Sequence, residues 1–220
     1  MKPYRMTVGA LAVAALLPVT ADAAPEPDSG VSLRFGGGRL ESSLDRLAAV
    51  SESPFIGGTH LSLSYGRRIA SSTWLPTHWR LQLGWDWLGS QAPSLGSDVR
   101  LDVHRPVLRG ELHWEVADVV SPYVAVEAGA ELARLRLDAG EGDFAQRHVA
   151  DATAAGFAGV EVRGGDRSAS GGLFAEVGGS WSSGLDFDRV EDADGRAFDA
   201  GTIDLTGWRW RLGVVGTIRW

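Results

Sequence analysis

Polar and apolar residues alternate with a period of two along most of the chain, the repeat of extended strands that bury one face. From His78 to Leu88, Trp79, Leu81, Leu83, Trp85 and Trp87 share one face, and Arg80, Gln82, Gly84 and Asp86 share the other. The last stretch does the same, with Trp208, Trp210, Leu212, Val214, Gly216, Ile218 and Trp220 set against Arg209, Arg211, Gly213, Val215, Thr217 and Arg219. Leu108, Gly110, Leu112 and Trp114 alternate with Arg109, Glu111, His113 and Glu115. Val124, Val126, Ala128, Ala130 and Leu132 alternate with Ala125, Glu127, Gly129 and Glu131, and Leu173, Ala175, Val177, Gly179 and Trp181 with Phe174, Glu176, Gly178 and Ser180. Weaker strands at 31–40, 59–69 and 149–163 bring the expected number to eight.

The connections between these strands alternate in length. Segments 42–58, 89–98, 138–148 and 182–204 read as long loops, and 70–77, 117–121 and 164–170 as short turns. An antiparallel barrel with both termini on one side produces that order, and in an outer membrane the short turns belong to the periplasm. Period two cannot say which face points inward, since a soluble ligand-binding barrel alternates equally well with its apolar face inside. Two features favour a bilayer. The polar faces repeat Arg and Glu on strand after strand, and tryptophan gathers at the strand ends. Trp79, Trp114 and Trp220 fall at the ends nearest the termini, and Trp85, Trp87, Trp181, Trp208 and Trp210 at the far ends, as two aromatic girdles would require. The ten steps from Trp210 to Trp220, tilted by about 40°, span roughly 25 Å of membrane height.

Composition narrows the class. No apolar run in the body of the chain reaches the ~20 residues of a membrane helix. Residues 1–23 read as a cleaved signal peptide, with Lys2 and Arg5, an apolar stretch from Val8 to Val19, and the small-residue site Ala21-Asp22-Ala23. Residues 24–30 read as a linker and 31–220 as the barrel domain. The formal net charge of −7 argues against nucleic acid as a partner. Cysteine is absent, so stability must come from hydrogen bonding and packing. Lys2 is the only lysine, and Arg alone supplies the basic groups of the barrel, suited to forked pairing with carboxylates.

On this pattern the chain resembles the small outer-membrane β-barrels grouped with the OmpA transmembrane domain, OmpX and OmpW. The resemblance covers 31–220 and is one of pattern. It implies an all-β, eight-stranded antiparallel transmembrane barrel, inserted by the barrel assembly machinery and embedded in outer-membrane lipid and lipopolysaccharide as a monomer. It also implies an assembly signal in the last strand, met here by Ile218 and Trp220 with Leu212 and Val214 before them. Val215 stands where the family usually has glycine.

The polar faces would place Arg80, Asp86, Arg109, Glu111, Glu115, Glu127, Glu131, Glu161, Arg163, Glu176, Arg209, Arg211 and Arg219 inside a barrel only wide enough for its own side chains. Such charges must pair, which favours a plugged lumen over a narrow porin or gated channel. A lipid A-modifying enzyme is the remaining alternative. His60-Leu61-Ser62 has the spacing of a lipid A deacylase, but Leu61, Leu63 and Tyr65 take the outer face, which turns His60 and Ser62 inward, and no carboxylate follows before Asp86. The acidic loop, with Asp186, Asp188, Glu191, Asp192, Asp194, Asp199 and Asp204, has the oxygen donors of a calcium site but not the register of an EF-hand. No cofactor or catalytic residue is expected. The function read from the sequence is a non-enzymatic outer-membrane barrel with a structural and surface-interaction role.

Overall fold

The computed structural model describes residues 29–42, 55–68, 76–94, 97–117, 119–138, 144–166, 168–191, 197–199 and 201–220. The expected signal peptide, 1–23, and residues 24–28 of the expected linker lie outside them. Eight antiparallel strands form the wall: β1 (Ser29–Glu41), β2 (Phe55–Arg68), β3 (His78–Ser94), β4 (Ser97–His113), β5 (Val120–Asp138), β6 (Phe144–Gly165), β7 (Ala169–Ser182) and, after four short strands, β12 (Gly207–Arg219). Each pairs with its neighbour in sequence, and β12 pairs with both β7 and β1, which closes the barrel. The seam runs from Gly30 opposite Arg219 to Glu41 opposite Trp208. Beyond it Trp220 N–H donates to Ser29 O at 3.0 Å. A closed ladder leaves no wall strand with an open edge.

The faces follow the alternation. Leu33, Phe35, Leu61, Leu63, Leu81, Leu83, Leu108, Val126, Leu173, Leu212 and Val214 lie exposed on the outside. Their neighbours Arg34, Ser62, Gln82, Arg109, Glu127 and Arg211 are buried inside. Leu83 is 69% exposed and Gln82 1%, so the inward face is the polar one, opposite to a soluble barrel.

Towards the loop end this polarity reverses. Along β4, Arg109 and Arg105 face inward, but beyond them Val103, Leu101 and Val99 are buried, while Asp102 and Arg100 lie outside. In β5, Glu127 and Glu131 face in, followed by Ala133 and Leu135, and Arg134 takes the outer side. The reversal explains why the expected long loop 89–98 is not one. β3 and β4 stay paired as far as Ser94 opposite Ser97, because Val99, Leu101 and Val103 keep period two with their apolar face turned inward. The expected loop 138–148 shortens for the same reason, with β5 and β6 paired out to Asp138 opposite Phe144. β1 opens at Ser29 and β4 ends at His113, so Trp114 and Glu115 lie past the strand that alternation assigned them to.

The last long loop is built inward. β8 (Leu185–Asp186) pairs with β11 (Thr202–Ile203), and β9 (Arg189–Glu191) with β10 (Ala197–Asp199). Leu185, Phe187, Ile203 and Leu205 are buried against Leu40, Ile56, Leu88, Val99, Leu101, Val103, Ala133 and Leu135. This cluster caps the lumen at the loop end. Phe187 N–H donates to Gly201 O at 3.0 Å and Thr206 N–H to Asp204 Oδ1 at 2.7 Å, which hold the fold-back in place.

Candidate functional site

Among the described residues, many ionisable groups converge in the interior below the cap. Seven buried arginines among the described residues, Arg34, Arg80, Arg105, Arg109, Arg163, Arg209 and Arg211, meet six buried carboxylates, Asp86, Glu111, Glu127, Glu131, Glu161 and Glu176. Period two on several strands aims them at one axis, where they order in layers.

Nearest the termini, Arg34 donates to Glu111 at 2.5 Å and to Glu161 at 2.6 Å. Glu161 also accepts from Arg80 at 2.8 Å and from Arg163. His113 reaches Glu111 at 2.9 Å and stacks between His78 and Tyr123, at 4.6 and 4.8 Å. In the middle layer Arg109 forks onto Glu176 at 3.0 and 2.5 Å, and Arg211 donates to Glu176 at 2.8 Å and Glu127 at 2.9 Å. Tyr123 O–H completes Glu176 at 2.7 Å. Phe157 lies under Arg211 and Arg109, 4.5 and 5.0 Å from ring centre to guanidinium carbon. Above it Asp86 accepts from Arg211 at 2.6 Å and from Arg209, and meets His60 Nδ1 at 2.6 Å. Arg105 and Glu131 form a separate ion pair under the cap, close in charge but not aligned as a hydrogen bond, and Ser182 donates to Glu131 at 2.6 Å. Pairing at this density answers the several kcal/mol that each unpaired buried charge would cost.

Of the lumen residues expected from alternation, Arg80, Asp86, Arg109, Glu111, Glu127, Glu161, Arg163, Glu176, Arg209 and Arg211 lie in the connected layers, and Glu131 lies apart with Arg105. Glu115 does not join the network. It sits beyond the end of β4 at the mouth, 3.7 Å from His78, because the chain has already turned so that Trp114 N–H meets Pro122 O. Arg219 also lines the mouth. Arg34, Arg105 and Tyr123 were not among the expected lumen residues, whereas His60 and His113 were placed on inward, polar faces without being counted in the charge network. Arg105 and Tyr123 lie on longer strands than alternation had marked, while Arg34 falls within the expected strand 31–40, where its parity was already legible.

The His60–Ser62 pair does have a carboxylate. Strand pairing sets His60 opposite Asp86, so Asp86, His60 and Ser62 form a chain, with His60 Nε2 3.2 Å from Ser62 Oγ and Ser62 donating to Gln82 at 3.1 Å. Its environment is not that of a hydrolase. All three are buried, Asp86 is occupied by two arginines, and the cavity beside His60 and Asp86 measures about 10 Å³, no more than one water needs. Among the described residues no group of three acidic, histidine or cysteine side chains could hold a metal. Residues 192–196 of the acidic loop lie outside them.

On the outer wall, Trp85, Trp87, Trp181, Trp208 and Trp210 stand exposed towards the loop end, and Trp220 is exposed at the terminus end. Trp79 and Trp114, also at the terminus end, are half-buried. Trp79 packs edge-on against Tyr65 at 5.9 Å. Trp85 donates to His104 at 3.3 Å, and Trp87 stacks on the same ring. Ile218 is exposed beside Trp220.

No protein-family model matches the chain, and no curated protein matches it. Among solved structures it is similar to Neisserial surface protein A (NspA), with 16% identity and a TM-score of 0.46 over 87% of this chain and 97% of that one. It is also similar to Ail, the attachment invasion locus protein of Yersinia pestis, in complex with the heparin analogue sucrose octasulfate (12%, TM-score 0.45, 88% and 100%). A third is the N-terminal β-barrel domain of Pseudomonas aeruginosa OprF (13%, TM-score 0.36, 88% and 100%).

Proposed function

We propose that the chain is a non-enzymatic outer-membrane barrel with a sealed lumen, whose body serves the envelope and whose loop end meets the cell's surroundings. The observation that carries this reading is the inside-out distribution of polarity. A wall of exposed Leu, Val and Phe, with tryptophan towards its two edges, suits hydrocarbon on the outside, and a closed ladder is the sheet form a bilayer tolerates. Along β4 the apolar belt from His104 to Leu112 spans roughly 20 Å once tilted, close to the height of an outer-membrane belt. In this orientation the termini and short turns face the periplasm. The lipid partners are outer-membrane lipid and lipopolysaccharide, the barrel assembly machinery acts at Trp220 and Ile218, and the barrel works as a monomer.

Two seals in series support a plug over a channel: the ionic layers, and above them the apolar cap formed by the last loop. The test is reconstitution of the folded, signal-cleaved protein in planar bilayers beside a known porin. The expected result is no steady conductance steps, and regular steps would transfer the chain to the narrow-channel class. Mass spectrometry of lipid A from expressing cells addresses the enzyme alternative, with an unchanged acyl pattern expected.

A further inference from the structure

The outer wall is not evenly covered with side chains. On β4, Gly110 stands between Leu81 of β3 and Val126 of β5. The next outward-facing rung towards the termini brings Trp79, Leu112 and Val124 side by side. A groove of about 330 Å³ runs over these six residues, at the low end of the roughly 300–1,000 Å³ of ligand pockets. Trp79 forms part of one wall and is held edge-on by Tyr65 of β2 at 5.9 Å. At the floor, a Cβ on Gly110 would meet no atom within 4 Å. Arg80 and Glu111 border the groove, but their side chains turn into the lumen, to Glu161 and Arg34. The side chains left to meet a ligand are apolar.

We propose that this groove binds one acyl chain of a phospholipid in the periplasmic leaflet. The proposal rests on the outer-membrane reading, which puts the terminus end of the wall in that leaflet. The walls of the groove stand on the strands either side of β4, so the slot is one strand wide, about 4.8 Å. That width suits a hydrocarbon chain and is too narrow for a membrane helix, about 10–12 Å across. A chain lying in it touches β3, β4 and β5 together, where a chain on a flat wall has contact from below only, and dispersion contacts add. Gly179 shows the contrast: it is equally open, but its neighbour on β6 is Gly156, so no wall rises on that side. At the terminus end Arg67 stands exposed on the outer face of β2, opposite Trp79. A guanidinium at that level suits the phosphate of the lipid whose chain fills the groove.

The test is native mass spectrometry of the folded protein released from non-ionic detergent micelles containing palmitoyl-oleoyl phosphatidylglycerol. One retained phospholipid per barrel is expected. Gly110→Leu fills the slot from its floor and should lower retention at least about tenfold, the effect of losing roughly 1.4 kcal/mol of contact. Gly179→Leu should retain lipid as the wild type does. Arg67→Gln leaves the slot untouched and should weaken retention about threefold, as an exposed charge contact allows. Heat-modifiable migration checks that each variant is folded, and its absence from the wild type would count against the outer-membrane reading itself. In a heat-modifiable barrel, a wild type that retains no phospholipid, or folded Gly110→Leu and Arg67→Gln that retain as much as the wild type, would overturn the groove and leave that reading standing.

Discussion

Glu176 shows what a single side chain does in this interior. It accepts from Arg109, Arg211 and Tyr123, so Glu176→Gln keeps the shape but leaves two buried guanidinium groups short of an anion. A loss of about 3–5 kcal/mol is expected, read from denaturant unfolding in lipid vesicles. Asp188→Asn, which removes an exposed pair with Arg147, should change stability by less than about 1 kcal/mol. Equal effects would mean that the layers are hydrated and the plug reading is wrong. Gly213 answers to close approach. A Cβ there would sit 2.2 Å from Phe35 O and 2.5 Å from Gly36 Cα, so Gly213→Ala should destabilise by about 1–3 kcal/mol in the same assay. Outside the wall strands, Asp166 in the turn after β6 is held below the usual carboxylate range, first by the Ala169 N–H and then by the hydroxyl and N–H of Ser168. Its folded pKa is depressed, so its support for the turn is complete above the unfolded value of about 4 and fades as pH falls through the folded one. Protection of the Ser168 and Ala169 amides, taken as exchange relative to the intrinsic rate at each pH, should fall on acidification through that value, and Asp166→Asn should remove the fall.

Among the elements, the last long loop differs most from what its composition suggests. Its acids made it look like a solvated excursion, yet Leu185 and Phe187 on one arm and Ile203 and Leu205 on the other insert into the barrel. Replacing Phe187 and Leu205 together by Ser should release the loop to protease while conductance stays closed, because the ionic layers below remain; a large conductance in that variant would locate the seal in the loop alone. Strand number, order and facing were legible from period two because a wall with apolar outside and polar inside alternates cleanly over Trp79–Trp87 and Trp208–Trp220. Strand length was not legible. Beyond Leu88 and before Leu108 the alternation continues in the opposite sense, and a reading that equates apolar with outside ends the strand there. The charged residues of the core could be read by parity, but their partners could not. Arg34–Glu111 and Arg211–Asp86 join residues far apart in sequence, a pairing fixed only by closure and tilt.

For the molecule as a whole, closure predicts resistance. The folded barrel should migrate faster than the boiled chain on a detergent gel, since opening the ladder exposes every backbone group of the wall at once. Identical mobility before and after boiling would be inconsistent with this fold. Leu83→Arg, on the exposed outer face, should cost about 2–4 kcal/mol in a bilayer if the residue lies near its middle. Trp220 closes the seam with Ser29, and its proposed role in assembly makes a separate prediction. Trp220→Phe should accumulate nearly normally as folded outer-membrane protein, whereas Trp220→Asp should leave unfolded chain in the periplasm. Folded Trp220→Asp at wild-type levels would show that the last residue is not read during insertion.

The reversal of polarity within β4 and β5 acts as a depth gauge. Sinking the barrel by two residues would draw Asp102 and Arg134 into hydrocarbon, and raising it as far would lift Leu132, opposite His104, into water, so the sequence admits one immersion depth. A molecule so marked cannot slide to suit its surroundings and must make the lipid conform. Its unfolding free energy in synthetic bilayers should therefore peak at one acyl-chain length, near the roughly 20 Å belt of β4, and decline in both thinner and thicker membranes.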